Sequence, residues 1–119
     1  MGHRLSKIYT RTGDSGTTGL GDGSRVAKDD LRITALGDVD ELNATVGVLC
    51  AQITATQIAD KDHWDKSLGL IQHWLFDLGG VVCIPNYHLL QPVCIEFLEK
   101  EIDRMNESLP MLKDFILPS

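Results

Sequence analysis

The sequence predicts an all-α protein, an up-and-down helical bundle preceded by an extended glycine-rich loop. Two observations carry this expectation. Three long segments repeat apolar residues at helical spacing with no strand pattern between them, so each stripe must be covered by another helix. Five of the eleven glycines fall within residues 13–23, where no helix can persist. With 119 residues and no internal repeat, the chain has room for one core, and we treat 1–119 as a single domain.

Residues 7–10, Lys-Ile-Tyr-Thr, suit a short extended stretch ahead of the Gly/Asp/Ser/Thr-rich loop. From about Asp29 the period becomes helical, with Ile33, Leu36, Val39, Leu42, Val46, Leu49, Cys50 and Ile53 on one stripe. Asp29 and Asp30 suit the first turn, where negative charge complements exposed N–H groups and the positive end of the helix dipole. A second helix is expected from about Asp62 to Cys83, marked by Trp64, Leu68, Ile71, Leu75, Leu78 and Val82, and Gly79-Gly80 leaves its end undetermined. Pro85-Asn86 breaks the chain. Pro92 then suits the first turn of a third helix with apolar positions Val93, Phe97, Ile102 and Met105, on which Glu96 and Lys100 are spaced to pair. Leu109-Pro110 ends it, and residues 111–118 read as a partly apolar connection. Val48, Leu70 and Phe76 lie off the stripes, so a subunit interface, a further helix or both must cover a second face.

A hydrophobic content of 43% with 24% charge is that of a soluble globular protein, and no apolar run approaches bilayer length. The polar N-terminus lacks a secretory apolar core, which makes the cytoplasm the expected location. Cys50, Cys83 and Cys94 lack the paired spacing of a zinc or redox motif and read as core thiols. His3, His63, His73 and His88 show no metal-ligand spacing, and Trp64 and Trp74 read as packing residues. Charge is unevenly divided: residues 1–32 carry +2 and the remainder −8. An anionic ligand is drawn to the N-terminal segment, whereas the acidic remainder repels a nucleic-acid backbone.

The segment Tyr9-Thr10-Arg11-Thr12-Gly13-Asp14-Ser15-Gly16-Thr17-Thr18-Gly19, followed by Lys28-Asp29-Asp30, carries the chemistry. Glycines let backbone N–H groups turn toward an anion. Thr10, Thr12, Ser15, Thr17 and Thr18 add hydroxyl donors, and Arg11 and Lys28 add full charges. A polyphosphate fits this inventory. Asp14 has the wrong sign for phosphate and suits either loop orientation or a hydrated magnesium ion. The common phosphate-loop and dinucleotide patterns are both absent. The same composition also suits a flexible linker, and the local basic excess is what separates the two readings.

Four segments in order, Tyr9 to Thr18, Lys28-Asp-Asp, Ala35-Leu-Gly-Asp-Val-Asp-Glu-Leu-Asn43 and Leu75-Phe-Asp-Leu-Gly79, together with Lys113-Asp-Phe-Ile-Leu-Pro118, resemble the ATP:cob(I)alamin adenosyltransferases of the propanediol-utilisation type. The resemblance implies a five-helix, ferritin-like bundle assembled as a homotrimer, with ATP held between subunits by the N-terminal segment, residues 1–28, and residues 29–119 supplying the bundle portion. It implies ATP contacts at Thr10, Arg11, Thr12, Gly13, Thr18, Gly19 and Lys28, and magnesium with the phosphates. Asp40 resembles the family's acidic residue that pairs with an arginine of the last helix, with Glu41 and Asn43 beside it. Phe115 resembles the aromatic residue below the corrin ring that helps exclude cobalamin's lower axial ligand. Read without the resemblance, Asp38, Asp40 and Glu41 are a solvated helix face and Phe115 a core phenylalanine.

The implied reaction transfers the 5′-deoxyadenosyl group of ATP to cobalt and releases triphosphate, with a cobalamin reductase or a cobalamin-dependent mutase or dehydratase as expected partner. The family continues past Leu-Pro with a Gly-Gly turn and an arginine- and glutamate-rich helix, and this sequence stops at Ser119. The expectation is therefore a domain incomplete at its C-terminus. A non-catalytic ATP- or cobalamin-binding helical trimer, serving as a sensor or delivery module, is the alternative, and a purely structural assembly a third.

Overall fold

The structure, a computed structural model, describes residues 8–114 and 116. Lys7 and Phe115 lie outside the described residues. In chain order the elements are β1 (Thr17–Gly19), β2 (Arg25–Ala27), α1 (Leu31–Ala55), α2 (Lys61–Cys83) and α3 (Val93–Asn106). The helical architecture is as expected. The glycine-rich segment departs from expectation, because part of it is an antiparallel hairpin with Thr17 opposite Ala27, Thr18 opposite Val26 and Gly19 opposite Arg25.

Helix α1 starts at Leu31, so Asp29 and Asp30 precede its first turn rather than occupying it. Asp30 is its N-cap, extended in backbone, and its carboxylate accepts the Arg32 N–H at 2.8 Å. Helix α2 runs antiparallel beside it. Near the start of α1, Arg32 donates Nη1 to the Val82 carbonyl at the end of α2 (2.7 Å). Midway, Asn43 Nδ2 donates to the Gln72 carbonyl (3.3 Å) and Gln72 Nε2 donates back to the Asn43 carbonyl (3.2 Å).

The face of α1 that meets α2 differs from the expected stripe. Half-buried positions are Ile33, Leu36, Val39, Asn43, Val46, Gly47, Cys50 and Ile53, whereas Leu42 is 51% and Leu49 44% exposed. Helix α1 carries two neighbouring apolar sets, and α2 takes the one containing Gly47 and Asn43. A Cβ on Gly47 would stand 3.3 Å from Gln72 Nε2, so the absence of a side chain there permits the close approach. The expected α2 stripe is inward throughout, Leu68 being buried and the other five half-buried. Gly79 and Gly80 do not end α2: Gly79 is buried under Leu36, whose Cδ1 would be 3.3 Å from a Cβ at that position.

Helix α3 meets α2 through Phe97, Glu101 and Arg104, which with the half-buried Cys94 are spaced three and four apart. Phe97 meets Trp74 edge to face at 5.2 Å between ring centroids, and the Arg104 guanidinium sits 5.1 Å over Trp64. His63 Nε2 and Glu101 Oε2 are 2.7 Å apart, and Arg104 Nε donates to the same oxygen at 3.2 Å. Of the apolar positions expected on α3, Phe97 is inward, whereas Val93, Ile102 and Met105 are exposed. Among the described residues Glu96 and Lys100 do not form an ion pair; Glu101 is the acid that α3 uses, because it faces α2. The three cysteines are unpaired and half-buried rather than fully interior.

The helices bury one face each and leave others open. The radius of gyration is 18.8 Å, against about 13.5 Å for a compact chain of this length. The accessible surface is 9968 Å², where a self-contained protein of this mass would expose about 6400 Å². Val48, Leu70 and Phe76, flagged as lying off the stripes, are among the exposed apolar residues. No helix among the described residues is long and apolar enough to cross a membrane.

Candidate nucleotide-binding site

Ahead of α1 the chain is folded by turns and hydrogen bonds. Asp14 N–H donates to the Arg11 carbonyl (3.4 Å) and Gly16 N–H to that of Gly13 (3.1 Å), forming two overlapping turns. Arg11 and Gly16 adopt left-handed backbone, at φ of 58° and 85°. That conformation is cheap for Gly16 and unusual for Arg11, whose guanidinium lies 5.2 Å over the Tyr9 ring. The hairpin follows, closed at its far end by Leu20 N–H to the Ser24 carbonyl (2.8 Å) and Gly23 N–H to that of Leu20 (3.1 Å), with Gly23 at φ 88°. The Asp22 carboxylate accepts the Ser24 hydroxyl (2.6 Å) and amide (2.9 Å). Those bonds, the hydroxyl's foremost, hold its pKa below the ordinary carboxylate value.

The hairpin tip is docked on the end of α2. Gly21 N–H donates to the Cys83 carbonyl at 3.1 Å, and a Cβ on Gly21 would overlap Ile84 Cγ1. With Arg32 on Val82, two carbonyls of the last turn of α2 are satisfied from outside the helix.

Between the turns and the hairpin opens a polar depression of about 270 Å³. All seven residues named for ATP contact, Thr10, Arg11, Thr12, Gly13, Thr18, Gly19 and Lys28, line it, joined by Asp14, Thr17 and Arg25. Three cations against one carboxylate give the lining a charge of +2, and threonine hydroxyls supply further donors. Lys28 lies across Gly13: a Cβ at Gly13 would come within 3.0 Å of Lys28 Cε and 2.9 Å of the Thr17 carbonyl oxygen. Glycine is needed there for space, its backbone lying outside the left-handed region. Lys28 itself is fixed by its own N–H donating to the Gly16 carbonyl (3.0 Å).

Asp40 stands apart from this lining, exposed on α1. Phe115 lies outside the described residues. Arg25 is the residue that sequence reasoning counted only as charge. Its Nη2 donates to the Thr12 and Thr17 carbonyls (2.9 and 3.0 Å) and to Thr17 Oγ1 (2.9 Å), and its Nε reaches the same hydroxyl at 3.2 Å. No sequence signal marked this role: the register sets Arg25 opposite Gly19, and its side chain runs along β1 to Thr17.

A cationic, hydroxyl-rich depression fastened to the head of an antiparallel helix pair has the chemistry to suit an anionic small molecule. The cobalamin adenosyltransferase family model matches residues 8–119, and the chain belongs to that family. It is 52% identical over 118 residues to a cobalamin adenosyltransferase of Cupriavidus metallidurans, covering 99% of this chain and 61% of the relative. It is 42% identical over 126 residues to the corrinoid adenosyltransferase of Mycobacterium tuberculosis, covering 99% and 62%. Among solved structures, a variant PduO-type ATP:corrinoid adenosyltransferase from Lactobacillus reuteri complexed with cobalamin and ATP superposes with a TM-score of 0.80 at 32% identity, covering 95% of this chain and 62% of that one. The chain thus spans about three-fifths of the length of the relatives it matches.

Proposed function

We propose that this chain serves the transfer of the 5′-deoxyadenosyl group of ATP to the cobalt of reduced cobalamin, forming adenosylcobalamin and releasing triphosphate. The observation that carries the reading is the convergence of seven family-matched residues on one cationic depression. In the reaction cobalt supplies an electron pair to C5′, and the C5′–O bond breaks with its pair leaving on the triphosphate. No proton need be removed, so the protein requires no general base. What it must supply is positioning and positive charge where the leaving group accumulates negative charge.

Arg11 and Lys28 are assigned to the phosphate oxygens, and the threonine hydroxyls to their orientation. The donor set also suits magnesium carried on the phosphates, since Asp14 is the single carboxylate on the lining and magnesium takes one or two carboxylates plus phosphate oxygens. Bound there, the ion would neutralise the triphosphate as it departs. Residues 1–28 act in this reading as the nucleotide segment and 29–119 as the bundle portion, with Asp40 pairing to an arginine of a further helix and Phe115 below the corrin. The exposed apolar faces of all three helices fit burial against further helices or subunits, and the reading takes the assembly to be a homotrimer in the cytoplasm that receives cobalamin from a reductase or passes product to a cobalamin-dependent mutase or dehydratase.

The test is incubation of the protein with ATP, magnesium and chemically reduced cobalamin, following the spectral change of adenosylcobalamin formation. The expected result is turnover with stoichiometric triphosphate. Absence of turnover from the chain, both alone and joined to the C-terminal helix of a relative, would overturn the assignment.

A further inference from the structure

We infer that Arg25 is the positioning residue of the nucleotide cradle, a staple that sets the shape of the Thr12–Thr17 turn. The inference rests on the nucleotide reading above and adds to it a residue outside the seven matched contacts. Three features carry it. The guanidinium spans two segments, the turn preceding β1 through the Thr12 carbonyl (2.9 Å) and β1 itself through the Thr17 carbonyl (3.0 Å) and hydroxyl (2.9 Å). Those partners bracket Gly13, the residue on which Lys28 rests. The hairpin register provides the track, for Arg25 and Thr17 share one face of the two-stranded sheet with Gly19 and Ala27, both small.

The donors are specific to arginine. Nε and Nη2 lie in one rigid plane and reach three acceptors, while Nη1 makes no hydrogen bond among the described residues and leaves part of the charge toward the depression. A lysine carries the same charge but a single rotatable ammonium, which cannot hold the turn and the strand in one fixed geometry. Arg25 therefore acts through Thr12, Gly13 and Thr17, by placing the hydroxyls and amides that meet the phosphates.

The test compares Arg25→Lys and Arg25→Ala with the parent chain. Affinity for magnesium ATP is read by titration calorimetry, and hydrogen exchange is read at the amides of residues 12–18 and of α1. In both variants we expect affinity to fall about tenfold or more, the fold-change of losing a charge-assisted hydrogen bond, and exchange at 12–18 to accelerate while α1 stays protected. Arg25→Lys retaining parental affinity would overturn the proposal, as would faster exchange at 12–18 with affinity unchanged. A parent chain that binds no ATP would instead refute the nucleotide reading, and the exchange measurement would still decide whether Arg25 holds the turn.

Discussion

Replacing Gly21 by alanine tests how the nucleotide segment is held to the bundle. The backbone at Gly21 is outside the left-handed region, so alanine adds no conformational strain and its effect is steric alone. Its Cβ would overlap Ile84 Cγ1 and come within 3.0 Å of Cδ1. Cγ1 hangs on a β-branched carbon with few rotamers, so relief must come from lifting the hairpin tip or shifting the residue that caps α2. Overpacking of this kind costs about 1–3 kcal/mol, and lifting the tip breaks the Gly21 to Cys83 hydrogen bond, which adds about 1 kcal/mol. Docking of the hairpin should weaken by roughly 2–4 kcal/mol, or roughly thirty- to several-hundred-fold in its docked population. The assay is hydrogen exchange at the β1 and β2 amides with ATP titration alongside. Adding Ile84→Ala removes the overlapping atom and should restore both, a double-mutant cycle with favourable coupling. A Gly21→Ala chain with parental exchange and parental affinity would refute the docking argument.

Lys28→Ala should reduce ATP affinity about tenfold while leaving the melting temperature of the unliganded protein unchanged, because it removes an exposed cation and no core volume. Phe97→Ala should loosen α3 from α2, costing about 2–3 kcal/mol since the ring is half-buried against Trp74, and the near-ultraviolet dichroism of Trp74 should fall with it. Glu101 is held below its ordinary pKa of 4.5, first by its hydrogen bond to His63 and then by Arg104. A depressed carboxylate contributes stability above its unfolded pKa and loses it as pH falls through the folded one. Thermal melts should therefore decline as pH drops below about 4.5, and Glu101→Gln should flatten that decline. An unchanged profile would show that the His63–Glu101–Arg104 contact is energetically idle.

The helices were legible because their signal is periodic and redundant; the α2 stripe from Trp64 to Val82 fell inward as read. Which face of α1 meets α2 was not legible. Leu42 and Leu49 are more apolar than Asn43 and Gly47, yet the close approach at Gly47 and the reciprocal Asn43–Gln72 bonds decide the contact, and both depend on a partner helix. The hairpin was hidden for a related reason. Its strands, Thr-Thr-Gly and Arg-Val-Ala, are too short for alternation and are held by turns at Gly16 and Gly23. Residue chemistry singled out the segment through its glycines, its hydroxyls and the cations Arg11 and Lys28, whereas the particular seven residues came from the family resemblance, carried over position by position. Arg25 could not be named in advance, since its acceptors are mostly carbonyls that only the register brings near.

The electrostatics of the two helix ends suit the proposed polyphosphate cradle at this end of the bundle. Helix α2 ends against the hairpin, and its exposed carbonyls present partial negative charge that would oppose an anion nearby. The chain covers them, with the Arg32 guanidinium on Val82 and the Gly21 amide on Cys83. Helix α1 begins at the same end, and its first residue follows Lys28 by three positions, so its positive pole lies close in sequence to the cradle's own cation. Masking the negative pole of α2, at an end where Asp30 caps the start of α1, makes Arg32 an electrostatic as well as a structural contributor. Arg32→Met, which keeps the packing stem but frees the Val82 carbonyl, should lower ATP affinity more at low salt than at high salt. A salt-independent loss would assign its effect to hairpin geometry instead.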